Sequence, residues 1–234
     1  MAFFEQVLNE QQGGNAKHLE ALLGRAKILE KTKRYDECLA TLSEITVLYP
    51  TFHPVLTDKG KIHIQNGEWD NAMECVSQVI FKDRYNVEAL RIYCFYLLAR
   101  EYDQEMLQEK FDELQNALRQ SEGRNSDLIF NISRVFSRFC GRKPEVLQRT
   151  LQLLDMAIVL QPENAAYQTE VGYQRSLKGE YETAYQAYQR AAQCDESFLL
   201  PLYGMIYCRI KQEQYEDAAQ QLEFLLEISE SQGK

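Results

Sequence analysis

The side chains best suited to chemistry in this sequence are its three histidines and six cysteines. Histidine can act as a general base or metal ligand, and a cysteine thiolate as a nucleophile or zinc ligand. His53 and His63 are ten positions apart, which does not place two side chains on one helix face. No HExxH, GxSxG, phosphate-loop or Rossmann glycine motif occurs. Almost all carboxylates fall on predicted exposed faces, so the sequence predicts no enzyme, no metal site, no cofactor and no small-molecule substrate.

The cysteines are scattered along the chain, and no two of them form a CxxC pair. A disulfide or zinc framework requires regular close spacing. We therefore expect reduced intracellular thiols that pack as small apolar side chains.

Composition excludes several function classes. The 234 residues contain 26 Lys and Arg against 35 Asp and Glu, a net charge of −9, and 45% are hydrophobic. An acidic chain disfavours nucleic acid or an anionic membrane as the main partner. The longest apolar run, Ile92 to Ala99, is too short to span a membrane, and the first residues lack the pattern of a signal peptide. A soluble, cytoplasmic protein without membrane insertion is predicted.

The elements that must position any site come from an internal repeat. An aromatic residue followed three positions later by a small one recurs at Tyr35, Trp69, Tyr181 and Tyr215, with 34 positions within the first pair and within the last. Six repeats fit, with extra residues in the third and fourth, where Cys140 to Glu145 is expected to lengthen a turn by about six residues. The predicted repeats are 19–52, 53–86, 87–124, 125–164, 165–198 and 199–234. Residues 1–18 form an N-terminal segment with a possible short capping helix before the array 19–234.

Each repeat has the pattern of two packed helices. Small residues such as Gly60 and Gly172 lie on the first helix, and apolar residues at spacings of three and four follow the aromatic on the second. Pro54, Pro144 and Pro201 fall where first turns of helices are predicted, and a proline is tolerated there. This pattern resembles the tetratricopeptide repeat. The resemblance implies an all-α fold, a solenoid in which antiparallel helix pairs form a right-handed superhelix.

A more specific resemblance lies in four segments. They are Ile129–Arg142, Asn86–Arg91, Glu170–Gln174 and Gln220–Leu225. Together they resemble the tetratricopeptide repeat protein 21 family. The resemblance implies a subunit of the intraflagellar transport A complex, acting in retrograde ciliary transport and cilium assembly with other subunits of that complex as partners, in the cytoplasm, the cilium or the ciliary base.

Members of that family are several times longer, so the resemblance covers one internal stretch of the array. A short isoform, a paralogue and a fragment remain alternatives. The last predicted helix also carries apolar residues around much of its circumference, among them Leu222, Phe224 and Leu226. Because a solenoid end usually carries a polar capping face, we expect this helix to adjoin another helix, from a longer chain or from a partner.

The resemblance to tetratricopeptide arrays implies a groove lined by the first helices, with position nine of each repeat facing it. Position nine holds Lys27, Lys61, Phe95, Tyr173 and Tyr207. The aromatic residues predict anchors for an apolar peptide or helix, or alternatively residues that pack against adjacent first helices.

A basic patch is the second candidate surface. It contains Arg25, Lys27, Lys31, Lys33 and Arg34. These cations either receive an acidic segment of a partner or form a solvated helix end near its negative dipole. The carboxylate clamp of chaperone-binding repeats is not reproduced, because Leu23 and Thr57 occupy its Lys and Asn positions.

The sequence therefore favours a non-catalytic protein-interaction scaffold. A generic adaptor that binds short peptides or helices in its groove is one alternative, and an accessory subunit of an enzyme is another.

Overall fold

A computed structural model describes residues 15–100 and 103–231. Within these ranges the chain is all-α. The helices are α1 (Asn15–Lys31), α2 (Tyr35–Leu48), α3 (Pro54–Gln65), α4 (Trp69–Lys82), α5 (Val87–Ala99), α6 (Gln104–Ser121), α7 (Ser126–Phe139), α8 (Pro144–Leu160), α9 (Ala165–Leu177), α10 (Tyr181–Cys194), α11 (Leu200–Lys211) and α12 (Tyr215–Ser231). The predicted all-α tetratricopeptide architecture of helix pairs is confirmed. The predicted capping helix lies in the part of the N-terminal segment that is outside the described residues.

The repeated aromatics mark helix starts, as predicted. Tyr35, Trp69, Tyr181 and Tyr215 are each the first residue of a second helix. The turns before these helices pass through the left-handed region of φ, at Lys33, Gly67, Gly179 and Glu213. A left-handed residue after a helix reverses the chain within three residues, and glycine adopts this conformation without steric cost.

Six helices begin with either an asparagine cap or a proline in the first turn. The side chains of Asn86, Asn125 and Asn164 accept a hydrogen bond from a backbone N–H in the first turn of α5, α7 and α9. Proline lies in the first turn of α3, α8 and α11, because a missing N–H costs nothing there. The three prolines therefore lie where the sequence placed them.

The prediction of a long turn after Cys140 is wrong. Helix α7 ends at Phe139 and α8 begins at Pro144, so the turn has four residues, one more than the turns before α2, α4, α10 and α12. The additional residues lengthen second helices instead, since α6 has 18 residues and α8 has 17, whereas α2, α4 and α10 each have 14.

The chain divides into two compact units, an N-terminal unit (1–117) and a C-terminal unit (118–234). In the N-terminal unit one apolar core joins α1 to α5. Its fully buried side chains include Leu22, Leu29, Ile45 and Val76. Apolar burial of this kind is the main contribution to the stability of such a unit.

The C-terminal unit has a less uniform interior. Apolar clusters form between α8, α9 and α10, between α10 and α11, and between α11 and α12. Several polar side chains are also fully or nearly fully buried there, among them Ser133, Thr150, Glu170 and Gln174. On α12, Leu225 is buried, whereas Leu222, Phe224 and Leu226 each expose about half of their surface.

Candidate functional site

Two of the predicted groove residues, Lys27 and Lys61, line one cleft of the N-terminal unit. The cleft has a volume of about 430 Å³ between α1, α2 and α3, with an apolar floor that includes Leu42 and Ile62. Glu30 and Asp58 also line it, so its two cations are matched by two carboxylates. The cleft is charge-balanced and offers no preference for an anionic ligand.

Lys61 is held by carboxylates. Its Nζ lies 2.8 Å from Glu88 and 3.3 Å from Asp58. Burial lowers the pKa of Lys61, but the hydrogen bonds and charges of Glu88 and Asp58 more than compensate and raise it overall. Lys61 therefore remains protonated, and its charge is largely satisfied within the chain.

Phe95, the third groove candidate, packs on the preceding helix pair. Its ring stacks on Trp69 at the start of α4, with 6.2 Å between centroids and 20° between planes. The guanidinium of Arg100 lies 5.8 Å from the centroid of the Trp69 ring. Phe95 is half-buried, and this contact gives it a packing role.

Tyr173 and Tyr207, the remaining two candidates, line the same pocket in the C-terminal unit. This tyrosine pocket has a volume of about 540 Å³. Its lining residues are Arg142, Tyr173, Ser176, Leu177, Lys178, Gly179, Tyr181, Tyr188, Tyr203, Gly204 and Tyr207. Tyr207 meets Tyr181 edge-on at 6.3 Å, and the Nζ of Lys211 lies 5.6 Å from the Tyr207 centroid.

The ring of Tyr188 is fixed between two glycines. A Cβ at Gly172 would lie 2.7 Å from this ring, and one at Gly204 would lie 2.4 Å from it. Burial raises the pKa of Tyr188 to about 12. Helices α9 and α11 can approach α10 this closely only because both contact positions lack a side chain.

Tyr173 also contacts an ion pair whose carboxylate is buried. The guanidinium carbon of Arg138 on α7 lies 3.8 Å from the centroid of the Tyr173 ring. Arg138 donates two hydrogen bonds to Glu170 on α9, at 2.6 and 2.7 Å, and the carboxylate is 95% buried. Burial lowers the pKa of Arg138, but the bonds and charge of Glu170 raise it overall.

A wider network surrounds this pair. Ser137 donates to Glu170 at 2.9 Å, and the amide of Gln174 donates to Glu170 at 2.9 Å and to Ser133 at 3.0 Å. Thr150 on α8 donates to the Gln174 carbonyl at 2.8 Å. The network thus ties α7, α8 and α9 together by directional bonds in a low-dielectric interior.

Sequence reasoning missed this network, because it places almost all carboxylates on exposed faces and identifies none as buried. A signal was present, since Ser133 and Ser137, like Glu170 and Gln174, are polar pairs spaced by four on first helices. Polar pairs on a core-facing side of a helix indicate partners in the interior.

The basic patch lies on α1 and the turn after it. Lys27, Lys31 and Lys33 are exposed, and Arg25 is half-buried. Arg34 is paired, since its guanidinium donates to both carboxylate oxygens of Glu37 at 2.6 and 2.5 Å. The patch therefore offers its lysines to solvent, while the charge of Arg34 is met locally.

Most of the cysteine thiols are poorly placed to act as nucleophiles. Burial, with help from nearby carboxylates, raises the pKa of Cys38 to about 11, and burial also raises the pKa of Cys94. Only Cys194 of the six thiols is exposed. Among residues 15–100 and 103–231, no three His, Cys, Asp or Glu side chains form a group that could hold a metal ion. No helix in these same ranges is long and apolar enough to cross a membrane.

Comparison with family models and with curated proteins gives the same family in both cases. The family model for the tetratricopeptide repeat protein 21 second ARM domain matches residues 109–234, and that for the N-terminal ARM repeat matches residues 2–73. Tetratricopeptide repeat protein 21B of Homo sapiens is 38% identical over the whole of this chain, which spans 17% of the length of that relative.

Two solved structures share the fold. The type IV pilus biogenesis factor PilW has a TM-score of 0.61 and 13% identity, covering 89% of this chain and 91% of that one. The peptide-binding tetratricopeptide protein YrrB has a TM-score of 0.51 and 14% identity, covering 86% and 96%.

Proposed function

Because the chain belongs to the tetratricopeptide repeat protein 21 family, we propose that it is a non-catalytic scaffold stretch of the intraflagellar transport A complex, acting in retrograde ciliary transport and cilium assembly. The match to the human 21B relative over the full chain is the observation that supports this proposal. Its partners are other subunits of the complex, and it acts in the cytoplasm, the cilium or the ciliary base.

The structure provides a physical basis for scaffolding. Within each unit, neighbouring helix pairs are joined by an apolar core or by directional bonds, so the surface of that unit is ordered before a partner arrives. A preordered surface loses little conformational entropy on binding. The exposed lysines of the basic patch, Lys27, Lys31 and Lys33, then receive an acidic segment of a partner and increase the association rate.

Affinity purification from ciliated cells tests this proposal. The tagged chain is expected to recover subunits of the transport complex, identified by mass spectrometry. Recovery of chaperones or metabolic enzymes without transport subunits contradicts the proposal. A Lys31→Glu, Lys33→Glu variant is expected to weaken recovery, whereas Lys82→Glu, a reversal of an exposed lysine on α4 outside the patch, serves as the matched control.

One observation favours a generic adaptor as a second function. Tyr173 and Tyr207, both predicted as groove residues from position nine of their repeats, line the same pocket. In this case Tyr173→Ala with Tyr207→Ala abolishes peptide binding but leaves assembly with other subunits intact. Recovery of transport subunits by this double variant separates the two functions.

A further inference from the structure

We propose that the tyrosine pocket binds an extended acidic peptide, with an aromatic or large aliphatic side chain in the pocket and a neighbouring carboxylate on Arg142 and Lys178. The inference rests on the proposed function, since it specifies the kind of partner segment that this part of the scaffold recognises. Three features of the pocket support it.

The first feature is space. The pocket volume of about 540 Å³ falls within the range of sites that enclose a small ligand, and it accommodates one large side chain with adjoining backbone. Gly179 lines it with open space where a side chain would begin, so the backbone of a ligand can approach closely there. The Tyr188 ring at the base of the pocket is held in place, because it packs between Gly172 and Gly204.

The second feature is the aromatic rim. Tyr203 exposes 54% and Tyr207 exposes 43% of their surface. Tyrosine rings supply a large contact area with few rotatable bonds, and each hydroxyl can still form a hydrogen bond. Exposed rings beside a preformed pocket are therefore suited to hold an apolar side chain.

The third feature is charge. Arg142 and Lys178 line the pocket, and none of the described residues that line it is a carboxylate. Lys178 has one acidic neighbour, Glu180, at 2.6 Å, whereas Arg142 lies exposed on the turn between α7 and α8. In a chain with a net charge of −9, a pocket whose lining contains no carboxylate and has the exposed Arg142 among its residues favours an acidic ligand.

The cleft of the N-terminal unit is a useful contrast. Its lysines, Lys27 and Lys61, face Glu30 and Asp58, so the net charge of its lining is zero. Cationic lining without carboxylates is thus a property of the tyrosine pocket and not of every cavity in this array.

The experiment starts from a random peptide library displayed on phage and selected against the purified chain. We expect enrichment of sequences with Asp or Glu next to Phe, Tyr or Leu. A selected peptide is then synthesised with a fluorescent label, and its affinity is measured by anisotropy at two salt concentrations. Higher salt should weaken the binding, because the carboxylate contacts are screened.

Variants locate the site. Tyr207→Ala and Arg142→Glu are each expected to lower the affinity for the selected peptide at least tenfold, since each removes a central contact. The matched controls are Tyr215→Ala, an exposed tyrosine on α12, and Arg190→Glu, an exposed arginine on α10, and both should leave the affinity unchanged. Circular dichroism verifies that all four variants fold.

The proposal is overturned by a library that enriches nothing, by enriched peptides that are basic or lack a large apolar side chain, or by binding that Tyr207→Ala and Arg142→Glu leave intact. These outcomes do not depend on recovery of transport subunits. If the chain recovers those subunits but selects no acidic peptide, the scaffold proposal stands and the peptide-binding proposal is wrong. If it selects an acidic peptide but recovers no transport subunits, only the scaffold proposal is wrong.

Discussion

Ile92 and Glu170 occupy the same position in their helices, five residues after the start of α5 and α9, and each exposes only 5% of its surface. In the N-terminal unit this position belongs to an apolar core. In the C-terminal unit it holds a carboxylate bound by Arg138, Ser137 and Gln174. The same helix packing is therefore built with two kinds of interior. An apolar contact tolerates small sliding of helices, whereas a hydrogen-bonded network specifies one register.

A second comparison concerns two bidentate ion pairs. Arg34 and Glu37 each expose 50% of their side chains, whereas Arg138 exposes 38% and its partner Glu170 only 5%. Distances in the two pairs are nearly equal. Geometry alone therefore does not determine how much a pair contributes, because solvent screens the exposed one.

The largest effect is expected from Glu170→Ala. The change leaves Arg138 with only the Ser137 hydroxyl as acceptor and removes one of the two acceptors of the Gln174 amide. We expect it to lower the free energy of unfolding of the C-terminal unit by about 3 kcal/mol. Urea unfolding followed by circular dichroism measures the loss, and fluorescence of Trp69, the single tryptophan, reports the N-terminal unit. The double variant Arg138→Met, Glu170→Ile should recover most of the stability, since it restores an apolar contact like that of Ile92. If the double variant is as unstable as Glu170→Ala, the comparison between the two interiors is wrong.

A smaller difference is expected between two glycines that each precede a second-helix aromatic by nine positions. Gly172→Ala should destabilise its unit by about 2 kcal/mol, because the new Cβ meets a Tyr188 ring that Gly204 prevents from moving. Gly60→Ala should change stability by less than about 1 kcal/mol, because a Val76 methyl at 3.2 Å can shift slightly and alanine favours the helix. Equal losses in thermal or urea unfolding would contradict the view that the C-terminal unit is packed more rigidly here.

Alkaline pH provides a third test, specific to the C-terminal unit. Burial raises the pKa of Tyr188 to about 12 in the folded chain, against 10.0 for a free tyrosine, so the unfolded chain releases this proton first as pH rises. Its contribution to stability is therefore complete below pH 10 and is lost between pH 10 and about 12, at roughly 1 kcal/mol per pH unit. Tyr188→Phe should flatten this part of the pH profile of urea unfolding. An unchanged slope in the variant would assign the alkaline loss to other groups.

The smallest effect is expected from Glu37→Ala. Removal of an exposed partner should cost less than about 1 kcal/mol, and added salt should reduce the difference further. Calorimetry at low and high salt measures it. A loss as large as that of Glu170→Ala would show that exposure is the wrong explanation for the contrast between the two ion pairs.

The repeat and most helix starts could be predicted from the sequence, because Tyr35, Trp69 and the prolines have strong positional preferences. The length of the turn after Cys140 could not, since the extra residues of α6 and α8 continue a helical pattern that composition does not distinguish from a longer turn. Burial of Glu170 was also missed, because its partner Arg138 is 32 residues away and only the fold brings them together. Only part of the tyrosine pocket could be predicted. Tyr173 and Tyr207 share position nine of their repeats, whereas Tyr181, Tyr188 and Tyr203 line the pocket from other repeat positions.

The distribution of thiols has a practical consequence. Five cysteines are buried, with pKa values raised above that of a free thiol, and Cys194 alone faces solvent. Alkylating reagents should thus label Cys194 at once and reach Cys38 or Cys208 only when the surrounding helices open. Because Cys38 lies on α2 and Cys208 on α11, the alkylation rate of each thiol measures how often the helices around it open, and no cysteine has to be introduced for the measurement.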